Sequence, residues 1–334
     1  MNVVMIGAGY FAQFHADAWN RIPGLRIAAV ADPDRDRASA FAARWKIPAV
    51  YANAEDAIRR ERPAFVDIVT RPETHLELTA LAAAHCVPII CQKPMAGTAS
   101  ECEEMVRVCE DAGVRLVIHE NWRWQPWYRE VRRLIDAGTL GTVFHLGFRM
   151  RTGDGRGPEP YTAQPYFRTM PRLLIYETLV HFLDTFRFLA GEIESVYCVT
   201  RHINPVIAGE DCAVIELRFA TGARGLIDAN RISGPTEPEV AFGELSVEGE
   251  RGAVRLAPDG SLWLSEYPGA ARPHSFAAPE EGYKGDSVKA MQEHFVECLR
   301  TARPAETEGR AYLRTVALVE ACYRSADSGR PESC

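Results

Sequence analysis

Apolar runs and amphipathic stretches alternate along the first third of the chain. Five short runs, Asn2–Ile6, Arg26–Ala31, Phe65–Val69, Val87–Cys91 and Arg115–Ile118, are rich in Val and Ile and read as strands. Between them Phe11–Trp19, Arg35–Trp45, Ala54–Arg60, Glu73–His85 and Ala99–Ala112 carry helical periodicity. Near-continuous apolar strands separated by helices predict an α/β domain whose parallel sheet is covered on both faces. Ligands of such sheets gather outside the carboxyl ends of the strands, so the residues that follow each strand become the candidates for function.

Beyond residue 120 the pattern changes. Trp122, Trp124, Trp127 and Tyr128 lead into an amphipathic helix through Ile135 that Asp136-Ala137-Gly138 ends. A strand at Val143–Met150 follows, then a Gly- and Pro-rich loop, Thr152–Met170, long enough to cover a site. An apolar helix runs from about Leu173 to Leu189. Strand-like segments then succeed one another at Ile193–His202, Asp211–Phe219, Ala223–Arg231, Val240–Val247, Ala253–Leu256 and Ser261–Leu264. Turns such as Ala220-Thr221-Gly222 and Pro258-Asp259-Gly260 join them into a large, mostly antiparallel sheet. Helical patterns at Ser287–Arg300 and Arg310–Ala326 close the chain. The pattern divides the chain at residue 120 into a doubly wound domain, 1–120, and an open-faced α+β domain, 121–334. One face of so large a sheet needs a cover, which predicts a homodimer or homotetramer built through it.

Composition removes several function classes. Apolar residues make up 47% of the 334 and charged residues 25%, as in ordinary globular proteins. No apolar run is long enough to span a membrane, and no secretory signal precedes the first strand. A net charge of −7 argues against nucleic acid as a partner. The nine cysteines show no paired CxxC spacing and read as reduced, mostly buried thiols of a cytoplasmic protein.

The most specific chemistry lies at the first strand end. There Gly7-Ala8-Gly9-Tyr10-Phe11-Ala12 forms a Gly-x-Gly-x-x-Ala turn into a helix. Gly7 permits a tight turn, Gly9 lets the backbone approach a pyrophosphate, and Ala12 lets helix and strand pack closely. The helix N-terminus offers N–H groups to phosphate. Asp32, 23 residues after Gly9 and at the end of the second strand, stands where a carboxylate grips ribose hydroxyls. Together these predict a nicotinamide dinucleotide site, with Tyr10 and Phe11 in the turn. Asp32 favours NAD, while Arg35 and Arg37 leave NADP open, since either could swing toward a 2′-phosphate. Later strand ends deliver Thr70, Arg71, Pro72 and His75, then Gln92 and Lys93, then Trp122, Arg123 and Trp124 to the same edge.

Two further positions bear on catalysis. Glu177 and His181 are four residues apart on one predicted helix and so share a face, with Asp184 three further on. An imidazole is the usual general base near neutral pH, and a carboxylate beside it fixes its tautomer. An intrahelical ion pair on a packing helix is the plainer reading of the same residues. Metal ligation by Glu177, His181 and Asp184 is a further reading of the same residues, but no HExxH-like pattern is present and no metal is expected. Lys93, before Pro94, could stabilise a developing alkoxide, though taken alone it reads better as a surface lysine.

In this order these residues resemble the Gfo/Idh/MocA family of oxidoreductases. The likeness runs from Gly7-Ala8-Gly9…His15 and Ala31-Asp32-Pro33 through Val66–His75, Cys91-Gln92-Lys93-Pro94-Met95-Ala96, Arg123-Trp124-Gln125-Pro126 and Gly138-Thr139-Leu140-Gly141. It ends with the Glu177…His181…Asp184 helix and His294-Phe295-Val296-Glu297-Cys298-Leu299. The resemblance implies a Rossmann domain, then a domain with a large antiparallel sheet, and NAD(P)-dependent chemistry at a carbinol of a sugar, cyclitol, sugar acid or related polyol. It places the family's lysine on Lys93 and its Asp-x-x-x-His pair on Glu177 and His181. Gln92 departs from the family's Glu, Glu177 from its Asp, and Leu179 stands where Gly is frequent. Substrate contacts are expected from Lys93, Trp122, Arg123, Trp124, His181 and Tyr283, with Arg151 and Arg168 flanking the long loop. The alternatives are a non-catalytic dinucleotide- and sugar-binding regulator and an NAD-dependent glycosidase of the same family.

Overall fold

The computed structural model describes residues 1–237 and 239–334. Two compact units emerge. The first is Met1–Trp124 with Glu280–Val316, and the second is Gln125–Pro279 with Ala317–Cys334. This differs from a single crossing at residue 120, and the reason is apolar packing. Met291, Phe295 and Val296 of a late helix complete a core already holding Val3, Met5, Trp19 and Phe65.

In the first unit the strands are β1 (Asn2–Ile6), β2 (Arg26–Ala31), β3 (Ala49–Tyr51), β4 (Phe65–Ile68), β5 (Ile89–Gln92) and β6 (Leu116–His119). They form one sheet in the order β3-β2-β1-β4-β5-β6. Every pairing is parallel, and β1 lies centrally with Met5 opposite Val30 and Asp67. The helices that follow β1, β2, β3, β4 and β5 are α1 (Ala12–Arg21), α2 (Arg35–Trp45), α3 (Ala54–Glu61), α4 (His75–Ala84) and α5 (Ala99–Asp111). Local chemistry sets several starts. Asp34 and Asn53 cap α2 and α3 through their side chains, and Thr98 with Glu101 forms a full capping box on α5. The strand β3, three residues long, is absent from the apolar pattern because it is too short to show periodicity.

One acid lies inside this sheet. Asp67 has no exposed surface, and its carboxylate meets His15 Nδ1 at 2.9 Å and accepts Trp19 Nε1–H at 2.6 Å. Both partners belong to α1, so the pair locks that helix onto the sheet.

The second unit holds α6 (Pro126–Asp136), α7 (Val180–Ala190) and a nine-stranded sheet. Its strands are β7 (Val143–Arg151), β8 (Ile193–Arg201), β9 (Cys212–Phe219), β10 (Arg224–Asn230), β11 (Glu244–Gly249), β12 (Gly252–Leu256), β13 (Leu262–Glu266), β14 (Arg272–His274) and β15 (Glu332–Ser333). Their order is β14-β13-β12-β11-β7-β10-β9-β8-β15. All neighbours are antiparallel except β7 and β10, which run parallel. The strand expected from Val240 starts instead at Glu244. Phe242 has a φ of +63°, and Gly243 comes so close to Arg149 that a Cβ would lie 2.3 Å from its carbonyl oxygen.

One sheet face is buried, with Phe148 of β7 stacked on Phe182 of α7 at 3.9 Å. The other is open. There Val199, Val214 and Leu226, on adjoining strands, are 43%, 39% and 38% exposed. The last two helices are α8 (Ser287–Thr301), in the first unit, and α9 (Gly309–Ser328). No helix among the described residues is long and apolar enough to cross a membrane.

Candidate active site

The β1–α1 turn separates two glycine requirements. Gly7 has φ +105°, and a Cβ there would stand 2.4 Å from the Val69 carbonyl oxygen, so the fold itself demands glycine. Gly9 differs, because a Cβ there would meet no atom within 4 Å. No other described residue fills that space, and a bare backbone before the α1 N-terminus is what a close pyrophosphate requires. Ala12 is fully buried against the sheet, and Tyr10 is half exposed.

Asp32 ties this turn to the next. Its carboxylate is 5% exposed and accepts the Ala8 and Asp34 backbone N–H groups, each at 2.9 Å. Arg37 adds a two-pronged contact, Nε at 3.2 Å and Nη2 at 2.7 Å. Burial pushes the carboxyl up, but hydrogen bonds from Arg37, Ala8 and Asp34 outweigh it and hold Asp32 below the usual carboxylate range. The residues present therefore fit a dinucleotide: an open backbone turn at a helix start, with an ionised acid one strand away.

Other predicted residues sit at the same edge. Thr70 follows β4, and its hydroxyl pairs with that of Thr74 at 2.7 Å, while Arg71 is exposed beside Pro72. His75 is fully buried, with Nδ1 3.1 Å from Met95 O and Nε2 3.3 Å from Thr70 O. Desolvation lowers its pKa, so a neutral ring braces the loop from behind. Gln92 ends β5 and accepts the Lys93 N–H on Oε1 at 2.7 Å, leaving Lys93 half-buried just past the strand.

After β6, Trp122 is 3% exposed, and Trp124 packs against the core with its ring 4.6 Å from His294. Arg123 is 8% exposed and lies 3.6 Å from Glu306. Buried Glu120 accepts the Trp122 N–H and the Tyr312 hydroxyl, which fixes this segment. Tyr283 packs on Phe11 and Phe14 of the dinucleotide turn at 5.3 and 4.7 Å. Next to it Lys284 is pushed down to about 8 by burial. No sequence pattern marks Lys284.

In the second unit the expected apolar helix begins as a π-helix, Leu174–Leu179, and becomes α7 at Val180. Glu177 and His181 lie on either side of that change, so their offset is not the regular α-helical one. Such wide turns recur at functional sites. The Thr178 hydroxyl donates to Glu177 at 2.7 Å, and His181 is 5% exposed. Asp184 is fully buried and 3.9 Å from Arg187. Glu210 holds the wide turn open by accepting the Leu173 and Ile175 N–H groups and the Tyr323 hydroxyl.

Arg231, at the end of β10, is a second residue that sequence patterns missed. It is 4% exposed, lies over the rings of Tyr161 and Phe167, and approaches Asp154 at 3.6 Å. Burial opposes its charge, while Asp154 and Glu177 favour it and prevail. The Gly- and Pro-rich loop thus wraps a buried guanidinium whose field reaches Glu177.

Strand order 3-2-1-4-5-6, an open glycine turn and an ionised acid after β2 define a dinucleotide-binding protein of Rossmann type. Comparison with known proteins agrees. A model described as an oxidoreductase family with an NAD-binding Rossmann fold matches residues 1–120, and one of the GFO/IDH/MocA C-terminal domain matches residues 128–255. The chain belongs to the GFO/IDH/MocA oxidoreductase family. Proteins called D-apiose dehydrogenase from Paraburkholderia graminis and Rhizobium rhizogenes are 35% and 34% identical. They match 98% of this chain and 88% and 95% of their own. An oxidoreductase from Agrobacterium radiobacter, crystallised with NAD+, L-tartaric acid and magnesium, superposes with a TM-score of 0.91 at 32% identity, covering 100% of this chain and 98% of its own.

Proposed function

We propose that the chain oxidises a carbinol on a small sugar or polyol, with Lys93, Glu177 and His181 as the reacting-site groups. The observation that carries this reading is Lys93, which leaves β5 at the sheet edge already marked by the open turn at Gly9 and by Asp32. The two D-apiose dehydrogenases, alike over nearly the whole chain, support a sugar as substrate and make D-apiose the first compound to assay. Bound NAD supplies the hydride acceptor. His181 takes the hydroxyl proton as the carbon loses its hydride, so an alcohol becomes a carbonyl and one proton is released. The Lys93 ammonium holds the oxygen and stabilises its negative charge. Glu177, steadied by the Thr178 hydroxyl, orients the His181 imidazole. Tyr283 lines the approach, while Trp122, Arg123 and Trp124 shape the wall from within.

The test is His181→Ala, assayed for NADH formation over D-apiose, inositols, aldoses and sugar acids. Loss of a general base should lower kcat by about 10²–10⁴-fold. NAD affinity should stay within about twofold, because His181 lies outside the dinucleotide-binding unit. Unchanged turnover would remove His181 from the reaction. We also propose that the open sheet face carries a second copy, as a dimer or tetramer.

A further inference from the structure

We propose that Arg231 is a specificity-determining residue: its Nε and Nη1 donors and the Tyr161 hydroxyl bind hydroxyl oxygens of the substrate, which selects a neutral sugar or polyol and turns away a sugar acid. The inference rests on the reading that the chain takes a small sugar or polyol, and not on the roles given to Lys93 and His181.

Charge and hydrogen bonding part company at this arginine. Its charge is met. The rings of Tyr161 and Phe167 lie 5.0 and 5.4 Å from its central carbon, and Asp154 Oδ2 stands 3.6 Å from Nη2. Glu177 is close enough to favour the cation as well. Its donors are not met. Nε and Nη1 are shut off from water with no hydrogen-bond partner among the described residues, and the Tyr161 hydroxyl beside them is in the same condition. Burial pushes that hydroxyl up to about 12, so it keeps its proton. Folded chains rarely leave buried donors without acceptors, and a ligand that brings the oxygens accounts for all three. The residue is also fixed in place. Its backbone N–H donates to Asp211 O at 2.9 Å, and its carbonyl accepts the Gly155 N–H at 3.0 Å. A Cβ on Gly155 would stand 2.9 Å from the Tyr161 hydroxyl, so the loop backbone presses directly on the pair.

Two features make the missing oxygens those of hydroxyls. The first is charge. One cation already has two carboxylates in range, Asp154 and Glu177, so a third would add more repulsion than attraction. A hydroxyl brings no charge, and it can accept from the guanidinium while donating to an acid such as Asp154. The second is geometry. Each two-pronged grip that a guanidinium offers a carboxylate uses Nη2, paired with either Nε or Nη1. Here Nη2 is the nitrogen that faces Asp154. The donors left over, Nε and Nη1, do not form a fork, and separate hydroxyl oxygens suit them better than one carboxylate. Asp154, Tyr161 and Phe167 all lie on the loop 152–170, so the segment that covers the guanidinium is also the one that yields to a ligand. Every residue concerned belongs to the second unit.

The experiment titrates NADH-loaded protein, which cannot accept a hydride, with D-apiose, myo-inositol and D-gluconate by calorimetry. Wild type should bind at least one of the two neutral compounds about tenfold or more tighter than D-gluconate. Arg231→Met keeps the apolar stem between the rings and removes the donors. It should weaken the neutral compound at least about tenfold and leave the NADH Kd within about twofold, because Arg231 lies outside the dinucleotide-binding unit. Asp154→Asn takes away one of the two carboxylates, so D-gluconate should bind at least about fivefold tighter while the neutral compound gains nothing. Neutral-sugar binding unchanged in Arg231→Met would make Arg231 a structural cation and overturn the proposal. So would D-gluconate bound more tightly than both neutral compounds by wild type, or no binding of either neutral compound. Should Arg231→Met lose NADH too or fail to fold, Asp154→Asn decides alone, an unmoved D-gluconate Kd counting against the proposal. No turnover is read, so failure here leaves Lys93 and His181 as assigned, and an active His181→Ala leaves these Kd values standing.

Discussion

Gly7 and Gly9 sit two residues apart in one turn, yet alanine at each should fail in opposite ways. At Gly7 the added methyl forces a residue at φ +105°, which costs about 1–3 kcal/mol of backbone strain. The same methyl would lie 2.4 Å from Val69 O, and relieving that clash adds about 1–3 kcal/mol. Together, about 2–6 kcal/mol is a large share of the 5–15 kcal/mol or so that a domain usually holds. At Gly9 the methyl meets nothing within 4 Å, and a less flexible unfolded chain favours folding by about 0.4–1 kcal/mol. The cost appears instead on binding, where the methyl stands between backbone and pyrophosphate. A loss of at least about tenfold, ~1.4 kcal/mol, is expected in NAD affinity. Urea unfolding followed by tryptophan fluorescence, without cofactor, reads the first quantity, and calorimetric titration with NAD reads the second. Gly9→Ala that unfolds as early as Gly7→Ala, or that binds NAD like wild type, would refute the claim that the space at Gly9 is kept for a ligand.

Two other expectations concern charge and assembly. Lys284 has its pKa pushed from 10.5 down to about 8 by burial, so the folded chain sheds its proton before the unfolded chain does. Stability should therefore rise with pH between those values, the penalty being fully present below 8; Lys284→Met should be more stable than wild type at pH 7 and lose that rise, measured as melting temperature against pH. For assembly, light scattering should give two or four times the mass of one chain, and Val214→Glu with Leu226→Glu, on the open sheet face, should return it to one. A wild-type monomer at micromolar concentration contradicts that face as an interface.

What the sequence disclosed was mostly local. The turn from β1 into α1, the acid after β2 and the regular strands of both sheets follow from residues a few places apart, where period and turn chemistry act directly. The strands β3, β14 and β15 span three, three and two residues, too short for an alternating pattern to develop. The π-turn before α7 leaves no mark, because Leu174–Leu179 reads as ordinary apolar helix and the wider winding depends on Glu210 from a distant loop. Arg37 was visible as a nearby cation, but only the fold shows its fork closed on Asp32. Arg231 was hidden for a different reason: a cation at a strand end normally signals solvent, and its burial comes from rings in the loop 152–170.

The late return of the chain to its first unit has a practical reach. A fragment ending at Trp124 would lack Met291, Phe295 and Val296, and its unfinished core would stand bare to water. Anyone grafting this cofactor module onto another member of the family has to move two pieces of gene rather than one. Recombination at a single junction, which shuffles contiguous modules freely, would break this one, so its descendants are expected to inherit both ends together.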